Sequence, residues 1–279
     1  MKDMVQHKEF IFSLSLSLCI VLIPLAMDFS SFYQMDILSL KPAWFCWGVN
    51  GHGYVSGKCT GTVELTPHII QLFNIFLLPL IASLAYSYGY FDDCKNGVSK
   101  FLIPRTGRKS YYLSNACTAF WGAFLVVFLP LILEQLILFI ACPLNTPYIM
   151  SSNPAVDDYA AVFGAGASLI ALQLNHPYLF NVLYCIIPAV TGGLLALLSY
   201  SLSLFLRKSR FLVLTLPELL WIVIDFGIAN FGGSEQAALN HLVQPYNTFP
   251  AWCAFAAVLL FLNIGMIWGK LVLARDELS

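Results

Sequence analysis

Hydrophobic and polar positions fall in long blocks along this chain, with no short alternating period. The apolar blocks run over about Phe10–Met27, Pro67–Phe91, Ala116–Ala141, Tyr178–Leu206, Phe211–Asn230 and Pro250–Leu273. A helix needs about 20 mostly apolar residues to cross a bilayer core of about 30 Å. The pattern therefore predicts an all-α, polytopic membrane protein with six transmembrane helices in a single domain, residues 1–279. A shorter apolar run, "AAVFGAGASLIALQL" over Ala160–Leu174, carries Gly164 and Gly166 and is too short to cross. It reads as an interfacial or re-entrant segment on the outer side. The first block has the basic start and short apolar core of a signal peptide. No small-x-small cleavage pattern follows in "IPLAMDFSS", so it reads as a span.

Composition agrees with the blocks: 59% of residues are hydrophobic and only 10% are charged, well outside the range of soluble domains. The position of the charge then sets orientation. Lys2 and Lys8 precede the first span, and Lys95, Lys100, Arg105, Arg108 and Lys109 join the second to the third. Arg207, Lys208 and Arg210 join the fourth to the fifth, and Lys270 and Arg275 close the chain. Of the 14 basic residues only Lys41 and Lys58 fall on the other side. The positive-inside bias makes the crowded side cytosolic, with both termini there.

Most catalytic signals fail on spacing. "GHGYVSGKC" over Gly51–Cys59 mimics a phosphate-binding loop. Five residues separate Gly51 from Gly57, and a cysteine stands where Ser or Thr would hold magnesium. The five histidines are scattered without metal-ligand spacing, so no metal site is expected. No serine occupies a Gly-x-Ser-x-Gly turn, and no Walker motif is present, so no catalytic residue is assigned and no cofactor is expected on this chain.

Eight cysteines are present. Cys19, Cys117, Cys185 and Cys253 lie in or near spans and read as small buried apolar residues, and Cys94 faces the cytosol. Cys46 and Cys59 share the outer loop Asp28–Thr66, where oxidising conditions permit a disulfide and equally leave two free thiols.

Three acids lie at membrane depth: Glu134 in the third span, Glu218 and Asp225 in the fifth. Each costs about 3 kcal/mol on insertion scales, so each needs a partner or a wet cavity. Glu218 and Asp225 share one helix face, with Glu218 shallow on the cytosolic side, Asp225 near the middle and Glu134 near the outer leaflet. They are candidates for a translocation path. The alternative is interhelical hydrogen bonding with Asn181, Gln135 or Tyr200. In the fourth span, Ala189 with Gly193 and Gly192 with Ala196 place small residues one turn apart, which admits another helix closely.

The connection after the second span reads "YFDDCKNGVSKFLIPRTGRKSYYLSN". Asp92 and Asp93 come first, Gly97 follows Asp93 by four, then come Phe101, Leu102, Pro104 and the basic cluster. This resembles the permease subunits of ATP-binding-cassette exporters of the type-two superfamily, in which such a stretch forms a short cytosolic coupling helix between helices 2 and 3. The Arg-Thr-x-x-Lys-x-Tyr run from Arg105 to Tyr111 and the His176-Pro177 pair before the fourth span are similar to a Gram-positive bacterial branch. The likeness covers most of Phe91–Trp221. Aspartates stand where the family carries a glutamate, and the N-terminal interfacial helix of many relatives is shortened here.

The resemblance implies ATPase docking through Asp92, Asp93, Gly97, Phe101, Leu102 and Arg105. It implies two cytosolic ATPase partners that carry ATP and magnesium, and a second permease subunit, identical or not. It implies export of an amphiphilic substrate such as an antimicrobial peptide. Physically, Phe101 and Leu102 would fill a partner's groove, while Arg105, Arg108 and Lys109 meet lipid phosphates or carboxylates. No nucleic-acid partner is expected. Two other classes fit the same composition: a membrane scaffold or signalling subunit that recruits a partner without ATP, and an intramembrane hydrolase using Glu134 or Asp225.

Overall fold

The computed structural model describes residues 8–32, 43, 77–86, 89–142, 144, 169, 172, 175–206, 209–231, 239 and 249–273. These form eight helices: α1 Lys8–Phe32, α2 Leu78–Tyr86, α3 Gly89–Lys95, α4 Ser99–Thr106, α5 Arg108–Ala141, α6 Pro177–Ser203, α7 Arg210–Phe231 and α8 Phe249–Leu273. No strand occurs among the described residues. Among the described residues, four helices are long and apolar enough to cross a membrane: α5, α6, α7 through Ile228, and α8 through Val272. The outer loop with Cys46 and Cys59, the first part of the expected second span, and most of the segment expected to be re-entrant lie outside the described residues.

Two boundaries differ from the sequence expectation, each for a local reason. The second apolar block does not end as one helix at Phe91. α2 stops at Tyr86 and α3 begins at Gly89. A Cβ on Gly89 would sit 3.1 Å from the Tyr86 ring. The third span begins earlier, at Arg108 rather than Ala116, because Gly107 is the last break and nothing in "RKSYYLSN" stops a helix. α5 is 34 residues long, about 50 Å, and so extends well past a bilayer core on its N-terminal side.

α6 is the centre of the bundle. It packs most extensively on α5, then on α2, α8 and α7. In its apolar window 78% of residues are buried, against 22% for α7 and 11% for α8, whose outer faces carry Phe226, Phe261 and Trp268. The glycines of α6 explain its central place. A Cβ on Gly192 would lie 3.2 Å from Val127 of α5 and 3.6 Å from Ala82 of α2, and one on Gly193 would lie 2.7 Å from the Phe120 ring. In lipid, helices associate by fit rather than by escape from water, so this closeness holds α5 and α6 together.

Proline adds a second device. Pro217 lies inside α7 and has no N–H, which releases the carbonyl of Val213 four residues earlier. Ser199 of α6 donates to that carbonyl at 2.8 Å, and Ser83 of α2 donates to the next one, Leu214, at 3.3 Å. A polar seam thus joins α2, α6 and α7 where an apolar sequence would leave an orphaned acceptor in hydrocarbon. Elsewhere Ser13 of α1 donates to Ile81 of α2, Trp252 of α8 to Thr191 of α6, and Asn263 of α8 to the Leu194 carbonyl.

The cysteines divide. Cys142 and Cys185 are buried in the bundle, while Cys19, Cys117 and Cys253 are on outer faces. The expectation of buried cysteines thus holds for Cys185 and fails for Cys19, Cys117 and Cys253, which are exposed on their helices.

Candidate functional site

One end of the bundle gathers the charged and aromatic residues. Glu9 at the start of α1, all of α3 and α4, the start of α5, the end of α6, the start of α7 and the end of α8 meet there. Its core is four tyrosines. Tyr90 of α3, Tyr111 and Tyr112 of α5 and Tyr200 of α6 are each at most 6% exposed. The Tyr90 ring lies 5.6 Å from Tyr112, 6.4 Å from Tyr111 and 6.5 Å edge-on from Tyr200, distances at which aromatic pairs attract. The Tyr200 hydroxyl donates to the Tyr112 carbonyl at 3.0 Å, and the Tyr111 hydroxyl donates to Asp93. Ile267 of α8 closes the cluster, and Leu102, Ile103 and Leu271 pack on it.

α4 hangs on this cluster between two glycines. Gly97 has φ +73° and Gly107 φ +78°, the left-handed region that costs other residues about 1–2 kcal/mol. Neither has an atom within 4 Å of an added Cβ, so the backbone angle alone requires glycine. The turn is closed by Asn96 N–H to the Asp92 carbonyl at 2.9 Å and Leu102 N–H to the Val98 carbonyl at 3.0 Å. The two apolar residues expected to share a partner's groove therefore separate. Leu102 faces the tyrosines, and Phe101 is 72% exposed on the opposite edge. Lys100, Arg105 and Lys109 are exposed around it.

The acids of α3 have internal partners. Asp93 accepts from the Tyr111 hydroxyl. Asp92 lies 3.9 Å from Arg210, which also reaches Glu9 at 3.2 Å. Arg210 thus ties α7 to both α1 and α3. All three side chains are more than a third exposed, so each pair contributes about 0–1 kcal/mol and fixes geometry more than stability.

The three acids of the spans lie on two helices, Glu134 on α5 and Glu218 with Asp225 on α7. Glu134 is buried in α5 and faces Cys185 of α6. Its neighbour Gln135 accepts from Asn181 at 2.7 Å, a fully buried interhelical amide pair. Tyr200, the other partner expected for these acids, is at the tyrosine end. Glu218 lies beside the Leu80 backbone, on the α2–α7 contact. Asp225 lies two turns farther along α7. Among the described residues no group of three or more His, Cys, Asp and Glu side chains could hold a metal ion.

Two features escaped the sequence reading although signals for them were present. Tyr90, Tyr111, Tyr112 and Tyr200 all fall at cytosolic ends of predicted spans, where interfacial aromatic residues collect. Pro217 inside an apolar block demands a donor from a neighbour, and Ser83 and Ser199 were the small hydroxyl residues at matching depth.

These four apolar helices, joined by a charged and aromatic end, define a multi-pass membrane protein. The chain is similar to the uncharacterized protein YybM of Bacillus subtilis (strain 168), with 29% identity over 196 residues, 70% of this chain and 69% of YybM. No protein-family model matches the chain. No solved structure matches it.

Proposed function

We propose that this chain is the permease subunit of an ATP-driven ABC exporter in a bacterial cytoplasmic membrane. It crosses six times, through α1, α2 with the residues before it, and α5 to α8, with both termini in the cytosol. The gathering of alternate ends of these helices at the tyrosine cluster supports that count. It pairs with a second permease subunit and with two cytosolic ATPases that bind ATP and magnesium, and it has no hydrolytic chemistry of its own.

The observation that carries this reading is α4. It is a short helix outside the apolar blocks, set by two left-handed glycines, with Leu102 inward and Phe101 outward. An exposed phenylalanine ringed by basic residues suits a groove with an acidic rim. Movement of a protein gripping Phe101 would reach α5, α6 and α8 through Leu102 and the tyrosines. It would reach α7 and α1 through Asp92, Arg210 and Glu9. ATP-driven closure of the ATPases would then shift the helices as rigid bodies and open a path between two permeases. The cargo is an amphiphilic molecule, with an antimicrobial peptide as the leading class, and Glu218, Asp225 and Glu134 are polar positions along its route.

Two measurements test this. Affinity purification of the chain in mild detergent recovers a Walker-motif protein and vanadate-sensitive ATP hydrolysis. Recovery of a partner without ATPase activity favours the scaffold class instead. Topology is tested on Cys94, which is half-buried in α3. A membrane-impermeant maleimide modifies the Cys94 peptide in lysed cells and not in intact ones. Modification in intact cells would place α3 outside, and docking of a cytosolic ATPase there would be ruled out.

A further inference from the structure

We infer that Arg210 is a positioning residue for the docking helix: its guanidinium, shared between Glu9 of α1 and Asp92 of α3, latches the α3–α4 arm to α7 and α1 by charge, so that the hold on α4 depends on ionic strength. Nη2 donates to Glu9 Oε1 at 3.2 Å. Nη1 lies 3.9 Å from Asp92 Oδ2, an ion pair beyond hydrogen-bond distance. Two carboxylates on separate helices thus divide one cation, and the Asp92 side is the looser of the two.

The helices around the guanidinium are held in different ways. α7 is pinned one turn on, where the Val213 carbonyl accepts from Ser199 at 2.8 Å and the Leu214 carbonyl from Ser83 at 3.3 Å. α1 is pinned one turn after Glu9, where Ser13 donates to the Ile81 carbonyl at 2.7 Å. Among the described residues, α3 packs on α6 and α4, and α4 packs on α5. No extensive backbone contact joins α3 to α7, α3 to α1, or α1 to α7. Arg210 therefore reaches across a junction that apolar packing does not close. Asp92 stands five residues before Gly97, whose positive φ sets the direction of α4. Its neighbour Asp93 accepts from Tyr111, so the arm has one tie to the tyrosines and another to Arg210.

Exposure makes this tie responsive to salt. All three side chains are more than a third exposed, and a pair in that setting shifts a local equilibrium by up to about fivefold. The Debye length falls from about 10 Å at 0.1 M salt to about 3 Å at 1 M, which is shorter than the 3.9 Å between Arg210 and Asp92. With the latch closed, a pull on α4 reaches α7 and α1. With it open, Phe101 still docks and the pull is lost. That consequence rests on the exporter reading, whereas the latch belongs to this chain alone.

The test uses the full chain in lipid nanodiscs with no partner added. Amide hydrogen exchange of the α3 peptide, read by mass spectrometry, reports local opening of the arm. In low salt, Arg210→Gln speeds exchange in α3 about two- to fivefold, and Arg210→Lys recovers part of the protection. In about 1 M salt the wild-type chain approaches the Arg210→Gln value, while the variant itself does not respond to salt. Asp92→Asn gives the same α3 result with the Arg210–Glu9 pair left in place, so the outcome does not depend on whether Arg210→Gln folds. Exchange in α3 that is equal in wild type and Asp92→Asn at low salt, or a salt response that persists in Asp92→Asn, overturns the inference. ATPase recovery has no part in the measurement. The exporter reading can fail while the latch stands, and an unresponsive α3 would leave docking through Phe101 untouched.

Discussion

Gly193→Leu is expected to dismantle the bundle, and even Gly193→Ala to weaken it by about 1–3 kcal/mol, the usual cost of overpacking. The reason is spatial. A Cβ at Gly193 would lie 2.7 Å from Cε2 and 2.8 Å from Cδ2 of Phe120, closer than side-chain contacts allow. The Phe120 ring is partly exposed, and neighbours on its own helix resist its displacement. It stacks on Phe124 with centroids 6.4 Å apart and meets Trp121 edge-on at 5.6 Å. α5 and α6 form the most extensive helix pair, and in a membrane no hydrophobic force restores a pair whose surfaces no longer fit. Two controls separate this from a general intolerance of glycine loss. Gly192→Ala meets a Val127 methyl at 3.2 Å and should cost less. Gly227→Ala in α7 has nothing within 4 Å and should be neutral or stabilising, because alanine favours a helix by about 1 kcal/mol over glycine. The readout is the fraction of detergent-solubilised protein that remains monodisperse after heating. Equal melting of the Gly193 and Gly227 variants would remove the close α5–α6 approach as the organising contact.

The small residues of α6 were legible in the sequence as a place where a helix comes close, but not which helix. "VTGG" carries the spacing, whereas Phe120 and Val127 as partners depend on how α5 is rotated, which its nearly all-apolar sequence does not encode. The ends of α6, α7 and α8 fell within a residue or a few of the apolar blocks, because Pro177, Arg210 and Pro250 mark them chemically. The second block failed as a boundary because apolar character continues through Tyr90 and Phe91 into α3. What makes these residues core at that end of the bundle is the tertiary tyrosine cluster, not hydropathy. Asp92 and Asp93 illustrate the same limit. As letters they are two equivalent acids, and the fold gives one to Tyr111 and the other to Arg210. Arg210 itself counted only as positive charge on the cytosolic side. Its pairing with Glu9, 201 positions earlier in the chain, has no local signature. The acids of the spans were visible as costly. The helix contact on which each would lie was not.

Phe101→Ala should abolish recovery of the cytosolic partner while leaving the membrane domain intact, and Gly97→Pro should do the same by a different route. Phe101 is 72% exposed, so removing its ring costs the fold little, about 0.5 kcal/mol or less. At the centre of an interface the same truncation costs about 2 kcal/mol or more, roughly a 30-fold loss of affinity. Gly97→Pro leaves Phe101 in place and misdirects it. Proline fixes φ near −65°, whereas Gly97 stands at +73°, and proline also loses the N–H that donates to the Cys94 carbonyl at 3.3 Å. α4 would then leave Val98 at a different angle, with Leu102 drawn off the tyrosines. Leu102→Ala gives the opposite signature. Its side chain packs inward, so it should lower thermal stability before it affects partner binding. Membrane insertion, melting in detergent and co-purified ATPase measured on the three variants form one set. Unchanged ATPase recovery with Phe101→Ala would move the docking surface off α4, and the exporter reading would lose the feature on which it stands.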